Sequence, residues 1–172
     1  MSKDVFHISH YVNDGFQKVC DVTINCLDGG WAYTNINHDY MYNDHRSWVY
    51  FIVLDGIIQK AGETGNPLGI AESWIYGNQE VQPISGTKSR LGRYRKGDGT
   101  DSYIREALRK DIVAGRKVTV WAKLCPIERI KATVGKETVI INHTYHKDLE
   151  QAYFQHFLDN SNRLPRLNKA KK

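Results

Sequence analysis

The sequence has little of several features that mark specialised classes of protein. Its 172 residues include 3 cysteines, 4 prolines and 2 methionines, and no stretch approaches the roughly eighteen consecutive apolar residues of a transmembrane helix. The first residues, Met-Ser-Lys-Asp-Val-Phe-His, lack the apolar segment of a signal peptide. We therefore expect a protein with no membrane partner that stays in the cytoplasm.

The three cysteines indicate neither a disulfide framework nor a zinc site. Cys20, Cys26 and Cys125 are odd in number and stand at no metal-ligand spacing. In a reducing compartment such residues are usually small buried side chains, which is the interpretation we favour.

Composition allows one ordinary globular domain, with 41% hydrophobic and 25% charged residues, and excludes a disordered or fibrous protein. The net charge of +5 is weak support for nucleic-acid binding, because the five basic residues within 163–172 account for all of it. More informative is the segment 87–117, where ten basic residues stand against four acidic ones. This segment is a candidate footprint for a phosphate backbone.

The segment 47–64 is the strongest local signal, because β-branched and aromatic residues flank Asp55-Gly56. That pattern predicts a β-hairpin. A two-residue turn at Asp55-Gly56 would put Tyr50 and Lys60 on opposite faces of the hairpin. We predict instead a three-residue loop over 54–56 with a bulge, which places Tyr50 directly opposite Lys60.

The rest of the chain predicts an α+β fold, in which helices flank a small, mostly antiparallel three-stranded sheet with extra β-hairpins. We place an N-terminal β-rich extension at 1–46 and a core at 47–172, which contains an insertion at 65–86 and a basic tail at 163–172. Alternating and helical apolar patterns predict the remaining elements. They are a hairpin within 19–36, helices over 88–96, 101–115 and 147–160, a strand at 117–124 and a hairpin at 128–142.

Two short motifs lie on the central hairpin and a third lies on the next predicted helix. Trp-Val-Tyr at 48–50 is followed, after nine residues, by Lys-Ala-Gly at 60–62. Arg90 and Tyr94 are four residues apart, a spacing that puts both side chains on one face of a helix. Further on come Glu150 at the start of the last predicted helix and Pro-Arg-Leu-Asn at 165–168.

Taken together, these motifs resemble those of the GIY-YIG nuclease superfamily over residues 48–168. The first motif has Trp-Val-Tyr in place of Gly-Ile-Tyr. The second begins with Lys60, as in a subgroup of type II restriction endonucleases and a phage-associated branch. The 29 residues between Lys60 and Arg90 are more than the family commonly has, so Arg93 and Arg95 are alternatives for the family arginine. We prefer Arg90 because an aromatic hydroxyl follows it four residues on.

The resemblance implies a metal-dependent endonuclease that hydrolyses phosphodiester bonds of double-stranded DNA at specific sites. Glu150 would hold one Mg²⁺ or Mn²⁺ ion per active site, and Asn168 would support the site. Cutting both strands with one site per chain implies a homodimer or sequential nicking. The implied catalytic residues are Tyr50 (general base), Lys60 (acting with Tyr50), Arg90 and Tyr94 (phosphate contacts) and Glu150, and the implied DNA-binding residues are Lys88, Arg93, Arg95 and Lys96.

Each of these residues, taken singly, also has a purely structural interpretation. Tyr50 is equally typical of a core aromatic residue, Lys60 of an exposed strand end, and Glu150 of an acid in the first turn of a helix. Arg90 with Tyr94 could form a solvated helix face. Two histidines, His143 and His146, could extend a metal site, but we favour loop or DNA-proximal positions for them.

Three other functions fit parts of the sequence. The first is a phage or mobile-element nuclease of looser specificity, and the second is a non-catalytic DNA-binding module that uses the basic segment 87–117. The third is an RNA-binding domain that stacks bases on aromatic side chains, with Trp31, Tyr33, Trp74 and Tyr76 as candidates.

Overall fold

The computed structural model describes residues 4–27, 29–41, 47–65, 94 and 102–168. Most of the predicted insertion at 65–86, and the predicted helix at 88–96 apart from Tyr94, lie outside these ranges. After a 3-10 turn at Ile8–His10, the elements are β1 (Gln17–Ile24), β2 (Trp31–Thr34), α1 (His38–Met41), β3 (Trp48–Leu54), β4 (Ile57–Thr64), α2 (Ser102–Val113), β5 (Val118–Leu124), β6 (Ile127–Val134), β7 (Glu137–Thr144) and α3 (His146–Ser161).

The main sheet has five strands in the order β2-β1-β5-β3-β4, and every neighbouring pair is antiparallel. The predicted α+β class is confirmed. The predicted three-stranded sheet corresponds to β5-β3-β4, which the N-terminal hairpin enlarges because β1 pairs with β5. The division of the chain at residue 46 stays a prediction.

Strand β3 is the centre of the fold, and all seven of its residues are buried. Its even-numbered residues face one core, to which α2 contributes Ile104 and Leu108. Its odd-numbered residues face a second core, to which α3 contributes Phe157 and the N-terminal segment contributes Phe6 and Tyr11. A strand covered on both faces needs apolar residues at every position, which explains the uninterrupted run Trp-Val-Tyr-Phe-Ile-Val-Leu.

The turn between β3 and β4 corrects the predicted register. Asp55 and Gly56 both have positive φ, 47° and 86°, and Leu54 pairs with Ile57. This is a two-residue turn, so the prediction of a three-residue loop is wrong. Asp is one of the few residues that tolerate the left-handed conformation, so both turn positions can take the positive φ that a tight hairpin turn requires.

A β-bulge follows the turn and shifts the register once more. Val53 pairs with Ile58, but Ile52 pairs with Lys60, so Gln59 is the extra residue. Tyr50 therefore lies opposite Gly62, whereas we had predicted that it lies opposite Lys60. Because Ile52 and Tyr50 share a face of β3, the bulge nevertheless puts Lys60 on the same face as Tyr50.

The outer edge of β4 is covered by segments from both ends of the chain. The amide of Ile58 donates to the Phe6 carbonyl at 2.8 Å, and the amide of Ile8 donates to the Gly56 carbonyl at 2.9 Å. Next along the strand, the amide of Leu167 donates to the Gln59 carbonyl at 2.8 Å. These bonds use polar groups that an edge strand would otherwise present to another chain.

Strands β6 and β7 form a separate two-stranded hairpin, as predicted for 128–142, although each strand is longer than we predicted. Several large apolar side chains on it are between 41% and 63% exposed, namely Ile130, Val134, Ile140 and Ile141. Along the described ranges, no helix combines the length and the apolar composition that crossing a membrane requires.

The carboxylate of Asp55 joins the β3–β4 turn to the start of β5, and this contact predicts a pH dependence. It accepts hydrogen bonds from the Lys117 amide at 2.9 Å and from Arg116 Nε at 2.7 Å. These bonds, in that order, lower the pKa of Asp55. Stabilisation by a group with a lowered pKa is complete above the unfolded value of about 3.9 and is lost as the pH falls through the folded-state pKa.

We therefore expect the stability difference between the parent and Asp55→Asn to depend on pH. In urea unfolding, the difference should be full at about pH 6 and should shrink between about pH 4 and pH 2. Leu27→Ala is the control, because Leu27 is 95% exposed and its side chain does not titrate, so its difference should stay constant. A pH-independent difference for Asp55→Asn would contradict this assignment.

Candidate active site

Tyr50 and Tyr94 meet through their hydroxyl groups, although 44 residues separate them in the chain. The two oxygens are 2.7 Å apart, and the side chains are 1% and 0% exposed. Trp31 packs against Tyr94 with the ring centroids 5.7 Å apart. Tyr94 therefore does not lie on a solvated helix face, and the structure brings together two residues from separate sequence motifs.

Gly62 explains how the Tyr50 ring reaches this position. The ring crosses the backbone of β4 at Gly62, the residue directly opposite Tyr50. A Cβ atom at Gly62 would overlap the Tyr50 hydroxyl and lie 2.8 Å from Tyr50 Cε1. The Gly of the Lys-Ala-Gly motif thus provides the space for the Tyr of the Trp-Val-Tyr motif.

Lys60 is a partly buried neighbour of this pair. It is two residues from Gly62 on the same face of β4, and so it is diagonal to Tyr50 across the two strands. Diagonal residues of an antiparallel pair are roughly 7 Å apart, a distance that long side chains can span. The corrected register therefore keeps Lys60 within reach of Tyr50 without placing the two directly opposite.

Asn168 holds the segment between Lys60 and Gly62. The Ala61 amide donates to Asn168 Oδ1 at 2.7 Å, and Asn168 Nδ2 donates to the Ala61 carbonyl at 2.8 Å. The side-chain amide thus replaces a neighbouring strand at one residue. The preceding carbonyl, that of Leu167, accepts a hydrogen bond from the Tyr103 hydroxyl of α2, so the end of the chain is fixed to two elements.

Glu150 is the fifth residue of α3, because the helix begins at His146. It therefore lies in the second turn of the helix, whereas we had predicted the first turn. It is partly buried and belongs to the stripe of α3 that includes the buried residues His146 and Phe157, since all three fall on one side of a 3.6-residue helix. Phe157 packs on the odd-numbered residues of β3, the face opposite Tyr50.

A buried polar network at the start of α3 was not predicted. Ser47 is 0% exposed, and its hydroxyl lies 3.2 Å from His146 Nδ1. His146 Nε2 lies 3.4 Å from Glu63 Oε2. His146 is only 8% exposed, so our prediction of a loop or DNA-proximal position for it is wrong. His143 lies on β7 with its Nε2 3.6 Å from Asp148.

The predicted arginine and the predicted DNA-binding residues lie outside the described part of the chain; these are Arg90, Lys88, Arg93, Arg95 and Lys96. Within 102–117, several basic side chains have acidic partners in the same chain. Arg116 contacts both Asp55 and Asp111, at 2.7 and 2.6 Å, and Arg109 lies 3.8 Å from Glu106. The phosphate footprint over 87–117 stays a prediction.

Two further expectations can be compared with the described residues. Within these residues, no group of three His, Cys, Asp or Glu side chains could hold a metal ion. Trp31 and Tyr33 are 0% and 6% exposed. They are core residues, so base stacking on these two side chains is excluded as a function.

Comparison with known proteins adds information on the fold. No protein-family model and no curated protein sequence matches this chain. Among solved structures, a mutant of bacteriophage T4 EndoII superposes with a TM-score of 0.57 at 16% identity, over 91% of this chain and 98% of that chain. The restriction endonuclease HPY188I in complex with product DNA gives a TM-score of 0.45 at 22% identity, over 91% of this chain and 81% of that chain.

The chain shares its fold with EndoII. The similarity extends over nearly the whole of both chains. The arrangement of strands and helices described above is therefore that of the shared fold.

The contact between Gly62 and Tyr50 can be tested with a double-mutant cycle. Gly62→Ala forces the Tyr50 ring out of place, and we expect the free energy of unfolding to fall by about 1–3 kcal/mol, the usual cost of overpacking. In a Tyr50→Val background the ring is absent, so the same substitution should cost close to nothing. Urea unfolding of the four proteins measures both values, and an equal cost in the two backgrounds would refute the contact.

The Asn168 clamp predicts a second stability effect. Asn168→Ala leaves the buried Ala61 amide and carbonyl without their partners, and we expect a loss of about 1–3 kcal/mol in the free energy of unfolding. Hydrogen exchange at the Ala61 amide should accelerate as well. Asn160→Ala is the matched control on the exposed side of α3, and it should change stability by no more than about 0.5 kcal/mol. Unchanged exchange at Ala61 would contradict the clamp.

Proposed function

We propose that this protein is a metal-dependent endonuclease of the GIY-YIG type that hydrolyses phosphodiester bonds of double-stranded DNA. The observation that carries the proposal is the 2.7 Å contact between Tyr50 and Tyr94 above Gly62. These residues come from three separate motifs, and their meeting at one point is what the family resemblance predicts. The nuclease-type fold shared with phage T4 EndoII supports the same conclusion.

Hydrolysis of a phosphodiester needs a base for the attacking water, positive charge at the phosphorane and stabilisation of the leaving 3′-oxygen. In the proposed mechanism Tyr50 accepts a proton from the attacking water or orients that water. Lys60, on the same face of the hairpin, favours the deprotonated form of Tyr50. Tyr94 donates its single hydroxyl proton to the Tyr50 oxygen 2.7 Å away, which leaves the phosphate contact to Arg90. Arg90 neutralises a non-bridging oxygen, for which its fixed charge and planar fork are suited.

Glu150 is the proposed ligand of one Mg²⁺ or Mn²⁺ ion. Mg²⁺ keeps several of its waters and is often held by one or two carboxylates, so one partly buried glutamate is a suitable ligand. When bound, the ion supplies positive charge to the scissile phosphate. Glu150 lies on the α3 side of the sheet and Tyr50 on the other side. A scissile phosphate that contacts both would therefore lie near the far end of β4, because residues 6–8 and 167–168 cover the rest of its outer edge.

We further propose that cleavage is site-specific and that a homodimer cuts the two strands. The segments available to read sequence are 1–46, 65–86 and the β6–β7 hairpin, which lies outside the main sheet. A phage-type nuclease of looser specificity is the second candidate, because the fold is shared with a phage protein. Sequencing the ends of cleaved DNA separates the two, since random ends exclude site-specific cleavage.

Plasmid cleavage tests the enzyme itself. With Mg²⁺ the parent should cut supercoiled plasmid and chelation should stop it, while Glu150→Gln should lower the rate by about 100-fold or more because the ion loses its ligand. Arg90→Ala should cause a similar loss. Asp148→Asn is the control, as Asp148 is an exposed acid on the same helix, and it should retain the parent rate.

The other outcomes identify the other functions. Plasmid binding without cleavage by the parent, with any metal supplied, would reject the enzyme and favour a DNA-binding module. Competition in which single-stranded RNA displaces duplex DNA would reject duplex DNA as the substrate. Unchanged cleavage by Glu150→Gln would remove Glu150 from the metal site.

A further inference from the structure

The buried network around His146 joins three elements at one place. Ser47 immediately precedes β3, Glu63 lies on β4, and His146 is the first residue of α3. The imidazole lies between the other two side chains, 3.2 Å from the Ser47 hydroxyl and 3.4 Å from the Glu63 carboxylate. A single side chain thus connects the start of the last helix to both strands of the central hairpin.

The surroundings of His146 leave it little freedom. A Cβ atom at Gly65 would lie 2.8 Å from His146 Cε1, so the imidazole lies directly against the end of β4. Ser47 also hydrogen-bonds Cys125, whose thiol has its pKa raised to about 11 by burial. The thiol therefore stays protonated and uncharged at neutral pH, and the partly buried side chain of Glu63 faces the imidazole.

The start of α3 has no side-chain N-cap, because Tyr145 at that position makes no capping hydrogen bond. Ser, Thr, Asp or Asn commonly fill this position and bond the free amides of the first turn. Other side-chain contacts join the start of the helix to the β6–β7 hairpin, since Asp148 lies 3.6 Å from His143 and the Tyr145 hydroxyl donates to Glu128. The contacts of His146 join it instead to Ser47 and Glu63 of the central hairpin.

Glu150 is four residues after His146, so the two side chains lie on the same face of α3 and one turn apart. A displacement of His146 would also shift Glu150, because the two lie one turn apart, about 5.4 Å along the same helix. Misplacement of a catalytic group by about 1 Å can cost about 100-fold in rate. The contacts of His146 therefore contribute to the position on which Glu150 depends.

We propose that His146 is a positioning residue, which fixes Glu150 relative to the β3–β4 hairpin through its contacts with Ser47 and Glu63. Both of its ring nitrogens face residues of the same chain, Ser47 and Glu63, so the role proposed for it is exerted through Glu150. This inference rests on the proposed function, in which Glu150 holds the metal ion. It adds to the proposed site a residue, His146, that none of the sequence motifs contains.

The test compares His146→Ala, His146→Gln and Glu63→Gln with the parent, and uses His156→Ala as the matched control on the exposed side of the same helix. Hydrogen exchange in the metal-free protein should accelerate at residues 147–151 in His146→Ala, while β3 stays protected. Calorimetric titration with Mn²⁺ should show binding weakened by about 10- to 100-fold, the usual effect of losing an outer partner of a metal ligand. Plasmid cleavage should need correspondingly more metal.

The conservative variants distinguish positioning from general stability. His146→Gln keeps a donor for Glu63 but loses the contact with Ser47, so its metal affinity should lie between those of the parent and His146→Ala. Glu63→Gln keeps the side-chain volume and should weaken metal binding in the same direction. If His146→Ala does not fold, these two variants decide the question.

Each result has a defined meaning. Unchanged metal affinity in the folded variants, with or without faster exchange at 147–151, would overturn the role of His146 while leaving the proposed function intact. Failure of the parent to bind metal or cut DNA would reject the proposed function, and this inference with it. Weaker metal binding together with faster local exchange, and parent values for His156→Ala, would support the inference.

Discussion

The contact between the Tyr50 ring and the backbone of Gly62 is the constraint on which the candidate site depends. Because residue 62 has no side chain, an aromatic ring can lie across β4 and bring its hydroxyl to Tyr94. The contact requires the observed register, in which a bulge at Gln59 brings Gly62 opposite Tyr50. The same bulge keeps Lys60 on the Tyr50 face, so one extra residue arranges two motifs at once.

Strand β4 carries this site at the edge of the sheet, where a strand is usually least constrained, and contacts from distant parts of the chain hold it along its length. Phe6 and Ile8 bond its first residues, Leu167 and Asn168 bond the middle, and His146 contacts Glu63 near its end. Edge strands tend to be protected by neighbouring segments. Here the protecting segments also fix the positions of residues proposed to act in catalysis.

Much of the fold could be predicted from the sequence, because the hairpins, α2 and α3 have clear apolar periodicities. The register could not, since it depends on a positive φ at Asp55 and on a bulge at Gln59, neither of which changes the alternation of residue types in a recognisable way. The Ser47–His146 contact joins residues 99 positions apart, and no local pattern reports such a contact. The motif spacing did identify Tyr50 and Tyr94, whose hydroxyls the structure brings together.

The Asn168 clamp also has a consequence for synthesis of the protein. Ribosomes make a chain from its N-terminus, so the hairpin can begin to fold while later residues are still missing. Asn168 is 107 residues further along than Ala61, which it holds. A nascent chain that has not reached residue 168 therefore contains both motif strands without the side chain that secures them. The bonds that secure Ala61 therefore form only after residue 168 has been synthesised, however early the hairpin itself folds.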